Sequence, residues 1–389
     1  MSFKQHFSKS IGRKGAALHF AAHSHHPWPD VTSEAQNLYW EDSAHWLDHK
    51  WEKIFAQCVP QAQSHIAKHL TLPDPSSICF APNTHNFILR LLSAIPTRPT
   101  LKILATDGEF HSFTRQLSRL EEENLAEIVR VPVEPISTFK ARFIAELQTQ
   151  AEWDVVWLSQ TFFNSGHVLT VSDLHDICHA IPSQRTFAVI DGYHAFMATP
   201  IDLSSIASRA FYIAGGYKYA MAGEGACFMH CPPGYGMRPR DTGWYAEFGA
   251  LEKTREQKVG YASDASRFSG ATFDPSGLYR LNAVMNWLDG LKLSVAHMNA
   301  YCKSLQATML QQLDAKHCGL SSEQLVTKDL QSCGRFLTFQ TPHAAAVDEG
   351  LAKRNIIVDH RGDRLRIGFG IYQDEADVAH LVDALSVCS

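Results

Sequence analysis

Two residues of the right types to do chemistry together stand at the ends of neighbouring apolar runs. Asp191 ends FAVID, and Lys218, 27 positions further on, follows FYIAGGY and lies between two tyrosines. A carboxylate at the end of a buried strand can hold a heterocyclic nitrogen protonated through a charge-assisted hydrogen bond, so that the ring accepts carbanion charge. An amine can form a Schiff base with an aldehyde and later move protons at the neighbouring carbon. A cofactor that joins a pyridine nitrogen to an aldehyde needs both groups, so the pair points to pyridoxal 5'-phosphate. Taken singly, Asp191 would cap a strand and Lys218 would be one solvated lysine among many.

The surroundings favour the joint reading. Phe187, Ala188, Val189 and Ile190 are apolar without alternation, as in a parallel strand covered on both faces. The C-terminal end of such a strand is where open α/β sheets place ligands. Lys218 follows Phe211 to Ala214 across Gly215 and Gly216, a turn expected to let backbone approach a cofactor. Further strands are predicted at Ile78–Phe80, Lys102–Ala105, Ile128–Val133, Val155–Leu158, Ala210–Ala214 and Ala226–Met229, with helices between several of them, such as Phe87–Ile95 and Phe139–Gln150. This alternation predicts an α/β fold with a mostly parallel central sheet layered by helices. One long helical pattern then runs from Pro275 to Leu313. Strands at Arg335–Phe339, Ile356–Val358 and Leu365–Phe369 and a helix at Asp374–Leu385 make a smaller α+β C-terminal domain. The expected division is an N-terminal arm and segment over 1–50, a large cofactor domain over 51–285 and a small domain over 286–389.

Composition bounds the function classes. The chain has 389 residues, 45% hydrophobic and 19% charged, with a formal net charge of −5. That charge offers no basic field to nucleic acid or an anionic membrane, and no apolar run approaches spanning length. Nine cysteines without framework spacing read as reduced thiols, which predicts a cytoplasmic protein. The basic start MSFKQHFSKSIGRKG lacks an apolar signal core and reads as an ordinary arm.

Several segments carry a family resemblance over nearly the whole length. GGYKYAMAGEGACFM resembles the lysine segment, and VIDGYHAF the acid segment, of fold-type I pyridoxal-phosphate enzymes in the class V aminotransferase group. TDGEFHSF, TGWYAEF and RLRIGFGIY follow in the matching order, and within the group the chain is most similar to kynureninase-like proteins. The resemblance implies that Lys218 bonds the cofactor and that Asp191 partners the pyridine nitrogen, with His194 beside the cofactor. Tyr217 is implied on the phosphate, together with Thr84 and His85 in APNTHN, where a helix N-terminus can bind an anion. Thr84 also reads as a plain N-cap, and the two readings are compatible. Phe110 would stack on the ring, or be an ordinary core residue. Asn164, in SQTFFNSG, would lie near the ring substituent or the substrate.

Trp244 and Thr272 match positions that reach the phosphate across a dimer, which implies a homodimer with shared sites. Otherwise Trp244 packs a local loop and Thr272 starts the following helix. Arg366 would bind the α-carboxylate of an amino-acid substrate, with Arg361 and Arg364 as nearby competitors. Ser24 matches the serine of the family's N-terminal turn. That turn departs from the pattern: His23-Ser24-His25-His26 stands where kynureninases read Asn-Ser-Leu-Gly, which implies altered specificity at the substrate's distal end. Adjacent loop histidines seldom converge on one ion, so no metal is expected. Cys227 and Cys231 read as packing residues.

The resemblance implies a hydrolase that cleaves the Cβ–Cγ bond of kynurenine or a related γ-keto amino acid and releases alanine. An alternative is a class V aminotransferase using an amino acid and a 2-keto acid. Another is a cysteine desulfurase or selenocysteine lyase, for which Cys333 is the candidate thiol.

Overall fold

The structure is a computed structural model that describes residues 2–250, 258–316 and 319–387. In chain order its strands are β1 (Leu18–His19), β2 (Ile78–Ala81), β3 (Leu101–Thr106), β4 (Ala126–Val131), β5 (Val155–Ser159), β6 (Phe187–Asp191), β7 (Ala210–Gly215), β8 (Cys227–His230), β9 (Phe336–Gln340), β10 (Ile356–Ile357), β11 (Asp359–Arg361) and β12 (Arg364–Gly368). Seven of them form the central sheet, in the order β2-β8-β7-β6-β5-β3-β4. The ladders from β7 through β4 are parallel, and β8 runs antiparallel to both β7 and β2.

The unbroken apolar runs have a physical cause in this arrangement. Successive strand residues point to opposite faces, and here both faces are covered. Ala188 and Ile190 of β6 and Ala210, Tyr212 and Ala214 of β7 join one buried cluster. Phe187, Val189, Phe211 and Ile213 join another on the opposite face. Parallel strands need crossover connections, so their C-terminal ends fall together on one edge. The chain leaves β3, β5, β6 and β7 there, and with it Glu109, Ser159, Asp191 and Lys218.

The expected single helix from Pro275 to Leu313 is two helices, Ser276–Gly290 and Val295–Lys316. The first ends where Lys292 takes φ +53°, and Ser294 accepts a hydrogen bond from the His297 amide at 3.2 Å to start the second. The apolar pattern ran through the break because Leu288 is core and Leu293 packs against it. The last helix, Glu375–Leu385, begins at a reciprocal capping box between Asp374 and Asp377.

The tail forms an antiparallel sheet in the order β11-β12-β9. β1 pairs in parallel with β10, and the Gly368 amide donates to the Phe20 carbonyl at 2.6 Å. The N-terminal segment is thereby drawn against the end of β12. Among the described residues, no helix is long and apolar enough to cross a membrane, and no group of three or more His, Cys, Asp or Glu is placed to hold a metal ion.

Candidate active site

Lys218 lies one short turn beyond β7 and is buried. Its Nζ donates to the His23 carbonyl at 2.9 Å and lies 2.9 Å from His194 Nε2. Among the described residues no carboxylate is bonded to it. Burial, reinforced by the positive charge of Arg366, lowers its pKa to about 7 against the opposing pull of Asp191 and Asp359. Burial likewise holds His194 well below the ordinary histidine range, and its buried Nδ1 has no hydrogen-bond partner among the described residues. The result is an amine that is substantially unprotonated near neutrality and rests against a neutral imidazole. The turn before it is less open than expected. A Cβ at Gly215 would lie 2.1 Å from the Tyr193 hydroxyl, so the room left by that glycine is filled by protein.

Asp191 closes β6, opposite Ser159 of β5 and Ile213 of β7. It is buried and accepts from the Tyr193 amide at 3.0 Å. Burial raises its pKa to about 6, so a cationic partner would be welcome there. A second buried acid, which the sequence reading did not single out, lies beside it. Glu109 accepts from Thr106 Oγ1 at 2.6 Å, Ser159 Oγ at 2.7 Å and the Ser159 amide at 3.2 Å. Burial pushes it up to about 8, and the charge of Asp191 adds to the rise. The segment TDGEF drew attention only to its phenylalanine.

That phenylalanine, Phe110, is 37% exposed, so it is not the core residue of the alternative reading. It immediately precedes the helix His111–Glu122 and leaves ring surface open for a flat partner. Thr84 is the first residue of the helix Thr84–Ala94 but is not its cap. Asn83 caps it, accepting from the Asn86 amide at 3.1 Å. Thr84 is buried with its hydroxyl 3.8 Å from Cys227 Sγ, and His85 beside it is exposed. The first-turn amides of this helix provide the donors that an anion needs. Tyr217 lies with its ring centroid 5.0 Å from that of Tyr193 and 5.3 Å from that of His25.

Arg366 is buried on β12, directly opposite Asp359 of β11. Its Nε and Nη2 each donate to an Asp359 oxygen at 2.6 Å, and Nη1 donates to the Phe163 carbonyl at 2.9 Å. The competitors are otherwise engaged. Arg364 bonds the Asn164 carbonyl and Glu134, and the half-exposed Arg361 side chain lies 3.8 Å from Asp359. Asn164 lines a polar cavity of about 260 Å³ with Asp107, Glu134 and Arg364.

The histidine turn is corrected by the structure. His23 is fully buried, stacks on Phe336 at 4.8 Å and contacts Asp359 Oδ1 through Nε2 at 3.3 Å. His26 is buried among Phe7, Tyr219 and Tyr372. Burial lowers His23 to about 4 and His26 to about 3. Both are therefore neutral core groups rather than a specificity surface. Only His25 is open, while Ser24 Oγ lies 3.4 Å from His25 Nδ1.

Trp244 contacts Tyr245 and Phe248 in its own segment yet is 47% exposed. Thr272 is exposed and does not start the next helix, which begins at Ser276 with Asp274 bonded to its amide. Neither residue touches Lys218 of its own chain among the described contacts. Cys333 is also misplaced for the role expected of it: it is buried, its Sγ contacts the Thr327 and Asp329 carbonyls at 3.5 Å, and burial pushes its thiol up to about 11.

The side chains fit a pyridine-aldehyde phosphate. Asp191 is a buried carboxylate without a bonded cation among the described residues, Lys218 is a buried amine with its pKa lowered to about 7, Phe110 presents open ring surface and a helix N-terminus supplies anion donors. The comparisons bear on the same point. The chain is similar to the cysteine desulfurase from Thermococcus onnurineus NA1, with TM-score 0.81 and 15% identity over 100% of this chain and 98% of that one. It is also similar to the cysteine desulfurase CsdA from Escherichia coli, at 0.76 and 15% over 99% and 97%. A cystine C–S lyase, C-DES, bound to cysteine persulfide matches at 0.75 and 16% over 95% and 97%. No curated protein matches the sequence. The kynureninase expectation is corrected by these findings: the three similar structures named above are cysteine desulfurases and a C–S lyase, not a Cβ–Cγ hydrolase. The model for "Aminotransferase class-V" matches residues 18–381, so the chain belongs to that family of fold-type I enzymes and its cofactor is pyridoxal 5'-phosphate.

Proposed function

We propose that the chain is a lyase that cleaves the Cβ–S bond of cysteine or a cystine-like amino acid. Sulfur leaves as sulfide or a persulfide, and the three-carbon remainder takes up water and leaves as pyruvate and ammonia. The observation that carries this reading is the placement of the thiols. The seven cysteines among the described residues are all buried, including Cys333, while Cys318 and Cys388 lie outside the described residues. A desulfurase that receives sulfur on its own thiol needs a mobile one near the substrate, whereas a lyase needs none. One protein of similar fold is a cystine C–S lyase with its product cysteine persulfide.

In this reading the bound cofactor supplies the electron sink for carbanion charge. Lys218 bonds it and moves the Cα proton, a task suited to an amine titrating near 7. Asp191 keeps the ring nitrogen protonated, and Phe110 covers a ring face, with His194 and Asn164 nearby. Thr84, His85 and Tyr217 take the phosphate, completed in a homodimer by Trp244 and Thr272 of the partner subunit. Arg366 takes the substrate carboxylate, with Ser24 beside it. The chain divides into an arm (1–50), a cofactor domain (51–285) and a small domain (286–389).

The products test the proposal. Purified enzyme given L-cysteine or L-cystine without a 2-keto acid should form pyruvate together with sulfide or a persulfide. Alanine in place of pyruvate would make it a desulfurase. Amino transfer to an added 2-keto acid, with no sulfur released, would make it an aminotransferase.

A further inference from the structure

We propose that Asp359 is a positioning residue that pre-sets Arg366 to grip the α-carboxylate of an amino-acid substrate with the two N–H groups Asp359 leaves free. A guanidinium has five N–H donors in a rigid plane: one on Nε and two on each terminal nitrogen. Three are committed here, from Nε and Nη2 to the two oxygens of Asp359 and from Nη1 to the Phe163 carbonyl. One donor remains on each terminal nitrogen. With Nη1 donating to Phe163 through the hydrogen on its Cδ side, these two lie parallel along the edge that Asp359 does not occupy, the spacing a carboxylate accepts in bidentate fashion.

Asp359 is held from two sides. It faces Arg366 directly across the antiparallel β11–β12 ladder, so strand register fixes the pair. On its other side His23 Nε2 lies 3.3 Å from Oδ1. A carboxylate only accepts, so a neutral His23 must carry its proton on that nitrogen. Burial works to raise the Asp359 carboxyl, but the His23 contact and the Arg366 charge outweigh it and hold the group well below its usual range. The Asp359 carboxyl is therefore ionised at neutral pH. The same His23 offers its carbonyl to Lys218 Nζ. One buried turn thus braces both the carboxylate grip and the reactive amine.

This inference deepens the amino-acid reading of the site and rests on it, but the test does not require turnover. The absorption of the bound cofactor in the holoenzyme is titrated with glycine, which has an α-carboxylate, and with methylamine, which has none. In Asp359→Asn the glycine Kd should rise about tenfold or more, while the methylamine Kd moves by less than about twofold, because only the charge-assisted fork is misaligned. Asp359→Glu, which keeps the charge at a longer reach, should fall between Asn and wild type and serves if the Asn variant does not fold. An unchanged glycine Kd would overturn the proposal. A lowered one would also overturn it, by showing that Asp359 competes with the substrate for Arg366. Loss of glycine and methylamine binding alike would overturn it as well, as a general structural effect. An enzyme that binds glycine as expected but releases no sulfur from cysteine or cystine would fail the lyase reading alone.

Discussion

Lys218 and Arg366 are two buried basic side chains at one site, and the protein treats them in opposite ways. Arg366 receives a bidentate carboxylate, while Lys218 receives only a carbonyl and an imidazole. Burying a charge is costly unless it is paired. A guanidinium cannot shed its proton, and here it is paired with Asp359; an amine can, so withholding an acid converts Lys218 into a nucleophile with pKa about 7. The difference teaches that a binding cation and a reacting one are distinguished by their counter-ions, not by their depth.

The largest effect should come from making the two alike. Lys218→Arg puts a permanent charge where none is compensated and removes the amine proposed to bond the cofactor. Activity should fall by about 10²–10⁴-fold or more, the range for losing a positioned base. Borohydride reduction should label a peptide containing Lys218 in the wild type and no peptide in the variant. A label on another lysine would break the comparison, because the reactive cation would then lie elsewhere.

The converse change sharpens it. Arg366→Lys offers Asp359 and the substrate a point charge in place of a planar fork. Losing a charge-assisted hydrogen bond of about 1.5–3 kcal/mol should raise KM for amino-acid substrates roughly ten- to a hundredfold. The label at Lys218 should persist. A variant with unchanged KM would mean that the carboxylate is bound by another group, with the partly open Arg361 the first to examine.

How far the sequence reached can be judged from these same residues. Lys218 and Asp191 were legible because both follow strands of the parallel sheet, and a strand buried on two faces advertises itself as an unbroken apolar run. The predicted strands of the large sheet lie within about two residues of those in the structure for that reason. Asp359 was not legible. β11 reads Asp-His-Arg, has no apolar alternation, and becomes a strand only through its ladder with β12. The histidine turn was misread because its burial depends on β1 pairing with β10 from the opposite end of the chain. Glu109 escaped because its environment comes from Ser159, on a strand 50 residues away. The motifs around Lys218 and Asp191 serve any reaction on this cofactor, so they carried the family and not the bond that is cleaved.

The smallest effect concerns the acids beneath the site, which extend the comparison to anions. Glu109, like Lys218, is buried without an opposite charge and escapes the cost by holding its neutral form, with its pKa raised from 4.5 to about 8. Its folded pKa lies above its unfolded one, so the folded state keeps a proton that the unfolded state has released. The stability it contributes is present below about 4.5 and is lost as pH rises through about 8. Asp191, raised from 3.8 to about 6, has the same sign over a lower window. Lys218, lowered from 10.5 to about 7, has the opposite effect, adding stability as pH rises from about 7 towards 10.5. Between about pH 5 and 7 the buried histidines pull the other way, because His19, His23, His26 and His69, held at about 3 to 4, stay neutral in the folded chain while the unfolded chain protonates them below about 6.5. The acids therefore show as a difference between variants. In the cofactor-free protein the denaturation midpoint of the wild type relative to Glu109→Gln, which keeps a hydrogen-bonding side chain but has no proton to lose, should fall as pH rises across that interval, and adding Asp191→Asn should enlarge the relative fall. A constant difference between wild type and Glu109→Gln would show that Glu109 is ionised in the folded chain, and that this buried acid has a counter-ion after all.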